Sequence, residues 1–302
     1  MKEKRLDQQV VIVTGASAGI GEAGVRMLAR EGATIVLVAR RKARLDQLKQ
    51  EIEAGGGRAL AVEADITSAE DRRRIVRETL SAFGRIDALV NNAGYGQRGP
   101  IELVPVEAIR RNFETNLFSL IALTQLVIPI MREKGSGRIV NISSVAGRIA
   151  SPLSSVYDAT KHALEAVSDG LRGELAPFGI KVVIIEPGFI VTEFLDVANE
   201  VSREVVEQAG PYAASIARRN QSMQRLRKMA GTPDDIGKLI VKALTLANPR
   251  ARYSAPGHAK VLIALRRFVP ERLFDYINRQ TGASGEKQEP NTEANKGAAG
   301  GA

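Results

Sequence analysis

Continuous runs of Val, Ile and Leu recur along the first two-thirds of the chain, at QVVIVTG (9–15), ATIVLVA (33–39), ALAVEAD (59–65), IDALVNNAG (86–94), GRIVNISS (137–144) and IKVVIIEPG (180–188). None alternates apolar with polar positions, which is the pattern of strands buried on both faces of a parallel sheet. Stretches with helical spacing separate them, among them EAGVRMLAREG and RKARLDQLKQEIEAGGG, the second closing on the glycines Gly55 to Gly57 that stop a helix. Six alternations predict βαβ units with right-handed crossovers, hence an α/β fold built on a doubly wound parallel sheet with helices on both faces.

The longest apolar run, Leu117 to Met131, is shorter than the roughly 20 residues that span a bilayer. It also contains Ser119, Thr124, Gln125 and Pro129, so it reads as a buried helix. A further short strand is predicted at 251–256, and residues 260–280 read as helical with a break near Pro270. The segment 281–302 is Gly, Ala and polar residues and reads as a disordered tail. With no repeat and no linker in the pattern, residues 1–280 are expected to form one domain.

Composition narrows the chemistry. The absence of cysteine excludes disulfides, thiolate metal sites and a cysteine nucleophile. The N-terminus passes from charged residues straight into a strand, without the apolar core and small-residue cleavage site of a signal peptide, so a cytoplasmic protein is expected. Residues 201–280 hold fifteen Lys and Arg against six Asp and Glu, which accounts for the whole net charge of +9. That segment is a solvated basic face or a surface drawn to anionic lipid or an acidic ligand. Nucleic acid is not the expected partner, since the five Tyr and eight Phe form no stacking array among the basic residues.

Candidate chemistry begins at VTGASAGIGEAGVRML, where Gly15, Gly19 and Gly21 follow the first strand and open the first helix. Glycines at such a junction let the backbone approach a pyrophosphate, while the helix N-terminus favours its charge. The second strand ends in LVARRKARL, offering Arg40 and Arg41 and no carboxylate. Paired guanidinium groups suit a ribose 2′-phosphate better than a bare hydroxyl, so NADP(H) is the expected cofactor, with NAD(H) the alternative.

Tyr157 and Lys161 stand four residues apart on one predicted helical face, and Ser144 ends an apolar strand thirteen residues before the tyrosine. A nearby ammonium favours the phenolate and is expected to lower the tyrosine pKa from about 10. A phenol so placed can protonate a carbonyl oxygen as hydride arrives, with the serine hydroxyl orienting that oxygen.

With these pieces in order, the chain resembles the one-domain short-chain dehydrogenases/reductases over roughly residues 8–260. The matching motifs are TGASAGIG (14–21), AD at 64–65, NNAG (91–94), NLF from Asn116, ISS ending at Ser144, YDATK (157–161) and PGFIVT (187–192). The resemblance implies a Rossmann-type sheet of about seven strands in the order 3-2-1-4-5-6-7. It further implies that Asn116 holds a water in a proton relay with Lys161, itself bonded to the nicotinamide ribose. The cofactor would lie against Gly15, Ser17, Ala18, Gly19, Ile20 and Gly21, with Asp65 and Ile66 at the adenine. Asn92, Ala93 and Gly94 would support its channel, and Pro187, Gly188, Ile190 and Thr192 its carboxamide. A homodimer or homotetramer built on the helices at 117–131 and 157–178 is the assembly implied.

Departures from the family pattern refine the reading. Ala18 stands where many NADP-using members carry a basic residue, so NADP(H) rests on Arg40 and Arg41. Asp158 and Thr160 replace more frequent small residues and are read as surface changes. His162, about 100° round the helix from Lys161, and His258, read as a loop residue, receive no catalytic role, and no metal site is assigned. The basic helical extension at 260–280 is more similar to hydroxysteroid- and retinol-type members than to ketoacyl reductases. It suggests a hydrophobic steroid-, retinoid- or lipid-like carbonyl or alcohol substrate, and peripheral membrane contact through that helix. The mixed apolar and basic segment 193–230 is expected to form a mobile substrate lid suited to a lipophilic body with an acidic or polar end. A ketoacyl-thioester reductase, and a non-catalytic NADP(H)-binding sensor or scaffold, are the alternatives.

Overall fold

The computed structural model describes residues 5–227 and 229–282. Its strands are β1 (Val10–Thr14), β2 (Thr34–Ala39), β3 (Arg58–Glu63), β4 (Ala88–Asn91), β5 (Gly137–Ile142), β6 (Ile180–Pro187) and β7 (Arg252–Ala255). They form a seven-stranded sheet in the order β3-β2-β1-β4-β5-β6-β7, parallel at every pairing, as the Rossmann-type reading predicts. The order reverses beside β1, where Ile12 lies opposite Val36 of β2 and Leu89 of β4. That switch point opens a crevice at the carboxyl ends of the strands.

Between and after the strands run α1 (Gly19–Arg30), α2 (Lys42–Ala54), α3 (Ala69–Phe83), α4 (Val106–Phe113), α5 (Ser119–Glu133) and α6 (Ser155–Leu175). They are followed by α7 (Phe194–Val201), α8 (Arg203–Glu207), α9 (Ala213–Arg227), α10 (Pro233–Thr245), α11 (Gly257–Phe268) and α12 (Glu271–Gly282). Strand side chains alternate between faces, so Val11 and Val13 join one core layer with Leu28, Leu45 and Ile240 of α1, α2 and α10. Val10 and Ile12 join the other with Ile75, Val127 and Leu175 of α3, α5 and α6. Both faces of β1 are dry, which is why its sequence shows no polar alternation.

The apolar run at 117–131 belongs to a longer helix than its sequence suggests. A π-turn at Glu114–Phe118 joins α4 to α5 without a break, giving 28 residues from Val106 to Glu133, long and apolar enough by composition to cross a membrane. Its inward residues Leu123, Val127 and Met131 pack in the second core layer, as predicted for a buried helix.

Toward the C-terminus, β7 forms where the short strand was expected, and Pro270 separates α11 from α12. The helical region starts earlier than read, so His258 is helical rather than in a loop. It also ends later, at Gly282, two residues inside the segment read as a tail; residues 283–302 lie outside the described residues. The segment expected to form a lid is largely helical, with α7, α8 and α9 along it.

Candidate active site

The turn after β1 folds as it does because two of its residues lack a Cβ. Gly15 takes φ +65°, and a Cβ on Gly21 would stand 2.2 Å from the Gly15 carbonyl oxygen. Asn92 fixes this turn from the neighbouring strand end, its Nδ2 donating to the carbonyls of Thr14 (3.0 Å) and Gly15 (3.2 Å). The Thr14 hydroxyl in return accepts from the backbone N–H of Asn92 and Ala93. No side chain caps α1 at Ala18, leaving first-turn N–H groups for a ligand.

A cleft of about 1510 Å³ opens from this turn. Of the sequence-predicted residues, Gly15, Ser17, Ala18, Gly19, Ile20, Asp65, Ile66, Asn92, Ala93, Gly94, Pro187, Gly188, Ile190 and Thr192 line it, together with Arg40, Arg41, Ser144, Tyr157 and Lys161. Gly21 and Asn116 stand behind its wall. Gly21 packs on Gly15, while Asn116 accepts from Tyr95 N–H (3.0 Å) and donates to the Tyr95 carbonyl (2.9 Å) and the Thr160 hydroxyl (3.1 Å). The π-turn that carries Asn116 aims its side chain at this partner set.

Arg41 is already engaged. Its Nε and Nη2 donate to the Ser17 hydroxyl, both at 3.1 Å, and its Nη1 to Glu193 at 2.7 Å. Arg44 reaches the other oxygen of the same carboxylate, also at 2.7 Å. Arg40 lines the cleft without an acidic partner among the described residues.

Ser144 lies just past β5, where its hydroxyl accepts from Ala146 N–H (3.1 Å) and donates to the Pro187 carbonyl (3.4 Å). Tyr157 and Lys161 share one face of α6, and the ammonium stands 5.8 Å from the phenol ring centroid. It donates to the Ile142 carbonyl at 2.9 Å. The expected depression of the tyrosine pKa is not found. Burial pushes the Tyr157 phenol up to about 12, with Arg98 and the Ser144 hydroxyl opposing and Asp158 adding to the rise. Burial likewise drives Lys161 down to about 8, partly offset by Glu165. For both groups, removal from water is the largest cause of the shift.

Asp158 and Thr160, read as surface changes, are buried. The Asp158 carboxylate accepts from Ser151 N–H (2.7 Å) and the Ser154 hydroxyl (2.8 Å), and Thr160 donates to the Tyr157 carbonyl (2.7 Å). Residue-by-residue sequence reading of α6 missed them because its inner face is wider than the Tyr157–Lys161 stripe. Other cleft residues were also missed. Arg98 sets its guanidinium 5.5 Å from the Tyr157 ring centroid, Phe194 of α7 places its ring 5.5 Å from the same ring, and His258 reaches the lining from α11. For Phe194 the available signal was the basic and apolar mixture of residues 193–230.

Residues 9–203 match the model of the short chain dehydrogenase family. The chain is similar to the 3-ketodihydrosphingosine reductase of Bacteroides thetaiotaomicron, 32% identical over 275 residues that cover 91% of this chain and 98% of the relative. Among solved structures, a short-chain dehydrogenase from Streptomyces avermitilis superposes with a TM-score of 0.72 at 33% identity, over 92% of this chain and 98% of that one. A metagenomic short-chain oxidoreductase in complex with NADP gives a TM-score of 0.67 at 28% identity, over 83% and 98% of the two chains. The chain belongs to the short-chain dehydrogenase family and is an oxidoreductase.

Proposed function

We propose that this oxidoreductase uses NADP(H) to interconvert a carbonyl and an alcohol on a hydrophobic substrate, with Tyr157 as acid and base. The observation that carries the reading is a buried phenol at the cleft wall, next to the Ser144 hydroxyl and the Lys161 ammonium. Pushed up to about 12, the phenol keeps its proton at neutral pH and has it to give. Ser144 donates to the same carbonyl oxygen, and Lys161 stabilises the phenolate left behind. Asn116 keeps a lone pair on Oδ1 for a relay water behind Lys161.

The chain fits a dinucleotide. The Cβ-free turn and the uncapped start of α1 suit a pyrophosphate, and Arg40 with Arg41 suits a 2′-phosphate. Asp65 and Ile66 take the adenine, Asn92, Ala93 and Gly94 the channel wall, and Pro187, Gly188, Ile190 and Thr192 the carboxamide end. The bound nicotinamide supplies or accepts the hydride.

The test is NADPH and NADH oxidation against steroid, retinoid, aryl and fatty carbonyls, with Tyr157→Phe alongside. The expected result is turnover that prefers NADPH and falls by about two to four orders of magnitude in the variant. NADPH binding with no turnover of any carbonyl supports the sensor reading instead.

Two placements belong to the same proposal. Phe118 is 52% exposed on the outer side of the α5–α6 layer, which supports a homodimer or homotetramer through those helices. Phe268, 80% exposed, stands with the exposed Val261 beside Arg267 on α11, which supports contact with anionic membrane through that helix. Sedimentation with anionic liposomes at low salt tests the second; protein left in the supernatant removes it.

A further inference from the structure

Beside the phenol the cleft holds more positive charge than its own acids pair. Arg98, from the loop after β4, is half-buried; its Nη1 donates to the Ser154 hydroxyl and its backbone N–H to the Ser202 hydroxyl at 2.8 Å. Arg219, from α9 of the lid, is also half-buried and donates to the Pro152 carbonyl. Both line the cleft, and neither has a carboxylate within ion-pair distance among the described residues. Asp158 is the acid that faces them, and its two oxygens are taken by Ser151 and Ser154. Arg218, the residue before Arg219, lines the cleft as well, with its Nε buried and unbonded.

Guanidinium groups fixed in this way are costly without a counter-charge. Burial lowers the pKa of both Arg98 and Arg219, the latter to about 10, and Arg98 adds to the lowering of Arg219 by like-charge repulsion. The hydrogen bonds to Ser154 and Pro152 occupy one N–H of each fork and hold it in place. The other N–H groups remain for a ligand, and a fork of donors matches a carboxylate. Beyond the arginines the cleft walls are apolar, with Leu195, Val197, Leu226, Leu262 and Leu265 among them.

We infer that the substrate is an oxo- or hydroxy-carboxylic acid with a hydrophobic chain, whose carboxylate is held by Arg98 and Arg219 on the Tyr157 side of the cleft. This rests on Tyr157 being the proton donor, as proposed above. Because Arg98 stands against the Tyr157 ring, the carboxylate lies near the reacting carbonyl rather than at the far end of the chain. A monoanion is favoured over a phosphate dianion because desolvation cost rises with the square of the charge and the walls beyond the arginines are apolar. Arg219 rides on the lid, so the acid also ties α9 to the Arg98 loop.

The inference is tested first by binding, without turnover. Isothermal titration of the NADPH-loaded protein with decanoate, methyl decanoate and decyl phosphate is expected to show decanoate bound at least tenfold tighter than the ester. In Arg98→Gln and in Arg219→Gln that ratio falls toward one, and Arg219→Lys restores part of it; thermal melts confirm that each variant is folded. Equal binding of acid and ester by the wild type, a ratio that survives both glutamine variants, or a preference for the phosphate overturns the inference. The second arm compares kcat/KM for 3-oxodecanoate and its methyl ester. A binding preference that depends on the arginines, without turnover of either compound, leaves the carboxylate site standing and removes the acid as the reduced substrate; the carbonyl panel above decides the reductase reading by itself.

Discussion

Lys161 and Ile142 are joined at 2.9 Å, the ammonium donating to the last carbonyl of β5 from inside the cleft wall. The lysine is thus anchored to the sheet, buried, and its charge is held at a cost.

That cost is measurable. Lys161 falls from 10.5 unfolded to about 8 folded, so between those values the unfolded chain binds more protons and stability rises with pH. Below pH 8 the penalty is complete and amounts to about 3 kcal/mol. Lys161→Met relieves it but strips the Ile142 carbonyl of its donor, at about 1–2 kcal/mol. The variant is therefore expected to be the more stable protein at pH 7, by about 1–2 kcal/mol, and to lose that advantage by pH 10. Urea titrations at the two pH values check this, and a variant less stable than wild type at pH 7 contradicts it.

The same two pKa values shape the rate profile. Tyr157 keeps its proton far above neutrality, so it imposes no limb on reduction between pH 6 and 10. Lys161 loses its charge near 8, and kcat/KM for reduction is expected to fall above that point. Lys161→Arg, whose guanidinium stays charged, flattens the limb whatever its absolute rate. A limb that persists in the arginine variant assigns it to another group.

Glu193 bridges Arg41 and Arg44, each at 2.7 Å, where the 2′-phosphate is proposed to bind. The phosphate has to displace this exposed carboxylate, whose ion pairs contribute up to about 1 kcal/mol. Glu193→Gln is expected to tighten NADPH by about two- to fivefold and to leave NADH unchanged, as read by fluorescence titration. Equal tightening of both cofactors places the effect elsewhere.

Asp158 holds, through Ser151 and Ser154, the wall to which Arg98 and Arg219 donate. Asp158→Ala leaves the buried Ser154 hydroxyl and the half-buried Ser151 N–H without this acceptor and is expected to cost about 1–3 kcal/mol in stability. It is also expected to raise KM more than it lowers kcat, because Arg98 and Arg219 hang from that wall at Ser154 and Pro152. A stability change under about 0.5 kcal/mol would show that the wall stands without it.

Sequence alone determined the sheet, the glycine turn and the shared helical face of Tyr157 and Lys161, because each is a local pattern with a short physical cause. Strands dry on both faces must be continuously apolar, a backbone that folds onto itself must lack Cβ atoms, and residues four apart on a helix must share a face. What only the tertiary structure decided depends on residues distant in the chain meeting out of water. Arg98 and Arg219 converge from a strand-end loop and α9, Glu193 crosses to Arg41, and Asp158 turns inward to Ser151. The reversal of the expected Tyr157 shift has the same origin. Spacing along α6 specifies the neighbouring charge, but burial is set by every element that packs around the site, and here burial is the larger effect.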